Sequence, residues 1–110
     1  MKFLFAFIIL IHGLIHFMGF AKAFNYGNIT QLTREVSKPA GAFWFITAIL
    51  FIITAILFFI KKDWWPLIGI AAIIISQILI VMAWSDAKFG TIGNLLVLAI
   101  ILAYALKWIR

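Results

Sequence analysis

The chain has no cysteine among its 110 residues, which excludes disulfide bridges, thiolate metal centres and CxxC redox chemistry. Charge is nearly as scarce. Asp, Glu, Lys and Arg make up 11% of the sequence, with three acidic residues in all, whereas a soluble globular domain carries roughly 25% charged residues. With 67% hydrophobic residues, too little polar sequence remains to coat a water-facing surface, so a soluble helical protein is excluded. Phosphate-binding glycine loops, paired carboxylates and an activated nucleophile are also missing, and an enzyme acting alone is not expected.

What fills the chain is four nearly unbroken apolar runs at residues 3–20, 40–60, 65–83 and 92–106. A helix rising about 1.5 Å per residue needs roughly 20 apolar residues to cross a ~30 Å hydrocarbon core. The lengths predict an all-α, integral membrane, antiparallel four-helix bundle. It forms one domain, residues 1–110, with spans at about 3–23, 40–60, 65–84 and 90–107. Between the first two spans, Asn25, Tyr26, Gly27 and Asn28 form a turn. Ile29, Leu32 and Val36 then recur at helical spacing opposite Thr30, Arg34 and Glu35, which predicts a short interfacial amphipathic helix over 29–37, capped by Asn28. Pro39 suits the first turn of the second span. Trp64, Trp65 and Pro66 follow Lys61, Lys62 and Asp63 as a tight turn with an interfacial aromatic anchor.

The net charge of +6 would suggest nucleic acid in a soluble protein. Here Lys61, Lys62, Lys107 and Arg110 flank span ends, where cationic heads reach lipid phosphate. The expected partner is therefore the lipid bilayer, with membrane-complex subunits or further copies of the chain, and no nucleic acid. Lys2, the apolar run after it and Ala21, Lys22 and Ala23 imitate a secretory signal. The run outlasts a signal core of about 7 to 15 residues, however, and reads as an uncleaved span. Lys2, Lys61, Lys62, Lys107 and Arg110 on one side outnumber Lys22, Arg34, Lys38 and Lys88 on the other, which places both termini in the cytoplasm.

Small residues show where helices meet. Gly41, Ala48 and Ala55 recur every seven residues, as do Gly69, Ser76 and Ala83, a spacing that keeps a close-approach stripe on one side of a left-handed crossing.

An ionisable or amide side chain in hydrocarbon costs a few kcal/mol unless it finds a partner. Those within the spans are His12, His16, Thr47, Thr54, Ser76, Gln77 and Asn94. Thr47, Thr54 and Ser76 are expected to bond their own helix carbonyls or a neighbouring helix. His16, Thr47, Gln77 and Asn94 lie within about two helical turns of one membrane surface, with His12 nearer the midplane. One turn apart, His12 and His16 share a face that should point inward. The pattern predicts a polar pocket in one leaflet whose floor is His12 and His16 beside Gln77 and Asn94. Lys22, Trp84, Asp86 and Lys88 ring it, and Phe17, Phe20, Phe43, Trp44 and Trp84 are candidates for its walls. The bland alternative is that Gln77 and Asn94 hold helices together and that Asp86 and Lys88 form an ion pair or cap.

Haem fits poorly, since its two axial ligands come from opposite sides of the iron and both histidines sit on one face of one helix. A metal site is not expected either, because two ligands lack a nearby carboxylate motif. A neutral polar headgroup suits the residues better. Imidazole and carboxamide donate and accept hydrogen bonds at once, so a quinone carbonyl, a sterol hydroxyl or a lipid head is the candidate ligand.

The stretch 12–24, with Gly13 upstream of Gly19 and Lys22, resembles the first helix of DoxX-like membrane proteins. Together with 84–94 it is similar to uncharacterised small four-span bacterial inner-membrane proteins. The resemblance implies a four-helix membrane bundle in the bacterial inner (plasma) membrane, sometimes linked with quinone or redox partners, and assigns no catalytic residue. The arginine that often opens the DoxX first span is absent. The expected function is binding of an amphiphile or quinone-like ligand, in one form as an accessory subunit of a redox complex. The alternative is a purely structural or assembly subunit with no ligand.

Overall fold

The computed structural model describes residues 2–24 and 37–107, except the side chains of Lys2 and Asp86. The expected interfacial helix at 29–37 lies, apart from Ser37, outside the described residues. Every regular element among them is helical: α1 Lys2–Ile15, α2 Phe17–Ala23, α3 Lys38–Phe59, α4 Trp65–Met82, α5 Trp84–Ala87 and α6 Gly90–Ala105. The first two form one apolar run, Phe3–Ala23. With α3 and α4 this gives three helices long and apolar enough to cross a membrane by length and composition. The fourth apolar helix, α6, is shorter at 16 residues.

The helix ends follow from local chemistry. Ser37 is extended and its Oγ accepts a hydrogen bond from the Ala40 N–H at 3.3 Å, with Pro39 in the first turn. This cap starts α3 at residue 38, ahead of the expected 40. At its other end the N–H groups of Lys61 and Lys62 bond to the carbonyls of Phe58 and Leu57 at 3.2 and 2.9 Å. That Schellman closure requires a left-handed residue, and Lys61 takes it with φ of 64°. Lys107 ends α6 in the same conformation, its N–H on the Tyr104 carbonyl. The third run stops short of residue 84, because Ala83 departs from helical geometry and a separate turn, α5, follows.

Along α3 the buried residues Gly41, Trp44, Ala48, Phe51, Ala55 and Phe58 alternate at three and four positions, the spacing of a coiled-coil seam. Trp65, Gly69, Ala72, Ser76 and Leu79 repeat the pattern on α4. The small residues expected at crossings are thus buried, with Ala83 half-buried. Gly41 is the tighter of the two stripe glycines, since a Cβ there would run into the Ala23 Cβ, whereas one on Gly69 would stand 3.2 Å from Thr54 and 3.1 Å from Ile101.

Helices α1, α2 and α4 pack on α3, while α6 packs on α4 and α1. At the level of α1 the four runs close around an apolar core that includes Ile9, Phe51, Phe58, Trp65 and Val97. At the level of α2, which leans on α3, a smaller cluster of Trp44, Leu79 and Ile80 takes over and the polar residues enter. Large apolar side chains such as Phe3, Leu67 and Phe89 cover the outside.

Trp65 corrects the sequence reading. It is 1% exposed and sits between the rings of Phe58 and Tyr104 at 4.9 and 5.3 Å, so it is a core residue; of the two tryptophans at that turn, Trp64 is the exposed one. The Tyr104 hydroxyl donates to the Asp63 carboxylate, which ties the end of α6 to the α3–α4 turn.

Candidate functional site

Among the described residues, the buried polar groups of three helical runs meet at one place. His12 Nε2 lies 2.7 Å from Asn94 Oδ1, joining α1 to α6. His16 Nε2 lies 2.6 Å from Ser76 Oγ, joining the first run to α4. The Ser76 hydroxyl is in turn 3.2 Å from Asn94 Oδ1. The other end of the Asn94 carboxamide is hydrogen-bonded to the Gln77 carboxamide at 3.0 Å, and the Gln77 carboxamide to Thr91 Oγ1 at 3.1 Å. These contacts form one chain of side chains, in which His12, His16, Ser76 and Asn94 are each no more than 6% exposed.

The remaining nitrogen of His16, Nδ1, donates to the His12 carbonyl at 2.7 Å. In a regular helix that carbonyl receives the backbone N–H of residue 16. Here the N–H turns to the Gly13 carbonyl at 3.0 Å, and the helical ladder is interrupted at His16. The first span keeps its expected extent, 3–23, and only its hydrogen-bond ladder divides, into α1 and α2. The cause is a side chain competing for a backbone acceptor.

Aromatic rings fix both imidazoles. The Phe51 ring centre is 4.8 Å from that of His12 and 5.1 Å from that of His16, and Trp44 stands 5.3 Å from His16. The two imidazoles meet edge to face at 4.8 Å. Glycines make room for these rings, because a Cβ on Gly19 would run into the Trp44 indole and one on Gly93 into the His12 ring.

Beside this cluster is a cavity of about 130 Å³ bounded by His12, His16, Trp44, Ile80, Phe89 and Gly90, among others. A void near 150 Å³ holds one benzene ring, so the space matches a single ring-sized group. Its walls are mainly apolar, and the imidazoles provide the polar edge.

Of the expected site residues, His12, His16, Gln77 and Asn94 come together, although Gln77 and Asn94 contribute to the polar chain and do not border the cavity. Trp84 is 50% exposed and does not line it. Lys22 is half-buried. Lys88 is exposed, its Nζ 5.5 Å from the Phe89 ring centre. The side chain of Asp86 lies outside the description. Of the expected walls Trp44 is in place, while Phe17, Phe20 and Phe43 are not, and Phe89, Ile80 and Met18 take their positions. Thr47 and Thr54 bond the carbonyls of Phe43 and Leu50, each at 2.7 Å.

Ser76 occupies a more central place than its residue type suggested, as the link between His16 and Asn94. Its burial was legible in the seven-residue stripe, but its partners were not. No three His, Cys, Asp or Glu residues gather as a metal site among the described residues. Comparison with protein-family profiles, curated proteins and solved structures finds no match.

Proposed function

We propose that the chain is a multi-pass protein of the bacterial inner membrane, an antiparallel four-helix bundle with both termini in the cytoplasm. In this reading it binds the head of a small amphiphile or quinone-like molecule within one leaflet. Membrane insertion is supported by three long apolar helices, by an apolar outer surface and by a longest dimension of 42 Å, which exceeds a ~30 Å hydrocarbon core. Binding is supported by one observation above the rest: a ring-sized cavity bordered by two buried imidazoles and Trp44. Apolar walls with a few convergent polar groups are the usual composition of a ligand site.

The test is extraction of the protein from its native membrane directly into nanodiscs, followed by mass spectrometry of the co-purifying lipids. The wild type should retain one amphiphile well above its bulk abundance. The His16→Leu variant should lose it while keeping its helical content. Bulk lipid composition in both preparations would overturn the reading.

A second reading is favoured by a different observation. Three of the four imidazole nitrogens are already engaged inside the protein, as a structural or assembly subunit held together by polar contacts requires. In that case His16→Leu changes stability and leaves the lipid profile untouched.

A further inference from the structure

The polar chain contains an arithmetic of protons that fixes what the site offers a ligand. His16 Nδ1 faces the His12 carbonyl at 2.7 Å, and a carbonyl can only accept, so Nδ1 carries the hydrogen. No carboxylate is bonded to either ring among the described residues, and an unpaired charge in hydrocarbon is disfavoured, so each imidazole has one N–H. His16 Nε2 is then a bare acceptor, and the Ser76 hydroxyl 2.6 Å away must donate to it.

Ser76 has one proton. Having given it to His16, its oxygen can only accept, yet it also lies 3.2 Å from a carboxamide atom of Asn94. With Oδ1 at that position two acceptors face each other. The two ends of a carboxamide are isosteric and interchange by a half-turn of the group. With the Asn94 nitrogen there, it donates to Ser76 Oγ and also to His12 Nε2, 2.7 Å away. The same half-turn at Gln77 lets its nitrogen donate to the Asn94 oxygen and its oxygen accept from the Thr91 hydroxyl, across the existing 3.0 and 3.1 Å separations. Every contact is kept, its direction reversed, and no acceptor faces an acceptor.

If His12 Nε2 accepts, the ring's hydrogen must be on Nδ1. That nitrogen lies beside Gly93 and has no hydrogen-bond partner among the described residues, yet it is not sealed in, since the buried side-chain nitrogen or oxygen left without a partner among them is Trp65 Nε1, and the His12 side chain borders the cavity. We infer that His12, as its Nδ1–H tautomer, is the hydrogen-bond donor of this site, and that the site takes an amphiphile whose headgroup presents a carbonyl, as a quinone does, in preference to a hydroxyl donor. The inference rests on the binding reading above and names its ligand class.

The test is nitrogen NMR of the chain labelled with ¹⁵N-histidine in nanodiscs, with resonances assigned by residue. Both rings should carry one hydrogen, each on Nδ1. A hydrogen on His12 Nε2, or hydrogens on both nitrogens of His16, overturns the inference whatever the ligand does. Addition of a decyl-substituted benzoquinone should then shift the His12 Nδ1 resonance, and 4-decylphenol at equal concentration should leave it in place. An equal or larger shift with the phenol overturns the carbonyl assignment. If the tautomers are as expected and neither probe shifts any histidine resonance, the binding reading falls and the ligand class falls with it.

Discussion

His16 Nδ1 donates to the carbonyl of His12 at 2.7 Å, and this contact both interrupts the first helical run and aims the imidazole at Ser76. Backbone angles at His16 stay helical, with φ of −64° and ψ of −21°, so the interruption is a local tightening and not a sharp bend. If the side chain is the cause, its removal restores the ladder. In His16→Leu the amide of residue 16 should return to the residue 12 carbonyl and its hydrogen exchange should slow. The lost bond to Ser76 should lower stability by about 1 kcal/mol. Unchanged exchange at this amide would mean that the packing of Phe51 and Trp44 sets the interruption.

Asn94 touches three partners in the chain, whereas Ser76 touches two. Asn94→Ala leaves groups on His12 and Gln77 without partners, and its loss of stability should be about 2 kcal/mol against about 1 kcal/mol for Ser76→Ala. Because both belong to one network, the double variant should lose less than the sum of the two. Denaturation in mixed detergent micelles measures all three. Strict additivity would show that the 3.2 Å contact between Ser76 and Asn94 carries no coupling.

The four apolar runs were legible because hydrophobic length is a one-dimensional property. Which face of each run points inward was less so. Along α3 almost every position is apolar, so periodicity alone does not separate inside from outside; only the small residues Gly41, Ala48 and Ala55 marked the seam. For the same reason Phe43, which is exposed, was read as a wall. Trp65 was read as an interfacial anchor because its neighbours are Trp64 and Pro66, and its burial depends on Phe58 and Tyr104, which are distant in sequence. In the site, matched depth placed His16, Gln77 and Asn94 near one another. The tie from His16 to its own backbone depends on a side-chain torsion, which residue type does not specify.

Lys61 holds a left-handed conformation at the end of α3, with φ of 64°. For an L-residue that backbone costs roughly 1–2 kcal/mol, and glycine avoids the penalty. Lys61→Gly should therefore stabilise the protein by about 1 kcal/mol, less whatever the ammonium contributes near the helix C-terminus. Thermal denaturation in one detergent, compared with Lys61→Ala, isolates the backbone effect. The alanine variant should gain nothing.

A chain without cysteine allows topology to be mapped with single substitutions. Lys88→Cys should react with a membrane-impermeant maleimide in intact cells, whereas Lys61→Cys should react only after permeabilisation. The reverse pattern would overturn the proposed placement of both termini in the cytoplasm.

Two glycines near the start of α6 separate the demands of the site from those of the helix. A Cβ on Gly93 would collide with the His12 imidazole, which is held by Asn94 on one side and by the Phe51 ring on another. A Cβ on Gly90 meets the tip of the Ile80 side chain at 2.9 Å, which can swing aside. Gly93→Ala should then lose about 1–3 kcal/mol through overpacking and displace His12 from Asn94. Gly90→Ala should stay within about 0.5 kcal/mol of the wild type. Because Gly90 borders the cavity, its variant should also reduce occupancy by any bound amphiphile while the polar chain stays intact. Equal losses of stability from the two variants would show that the His12 ring is free to move, and the rigid donor geometry of the site would fail with it.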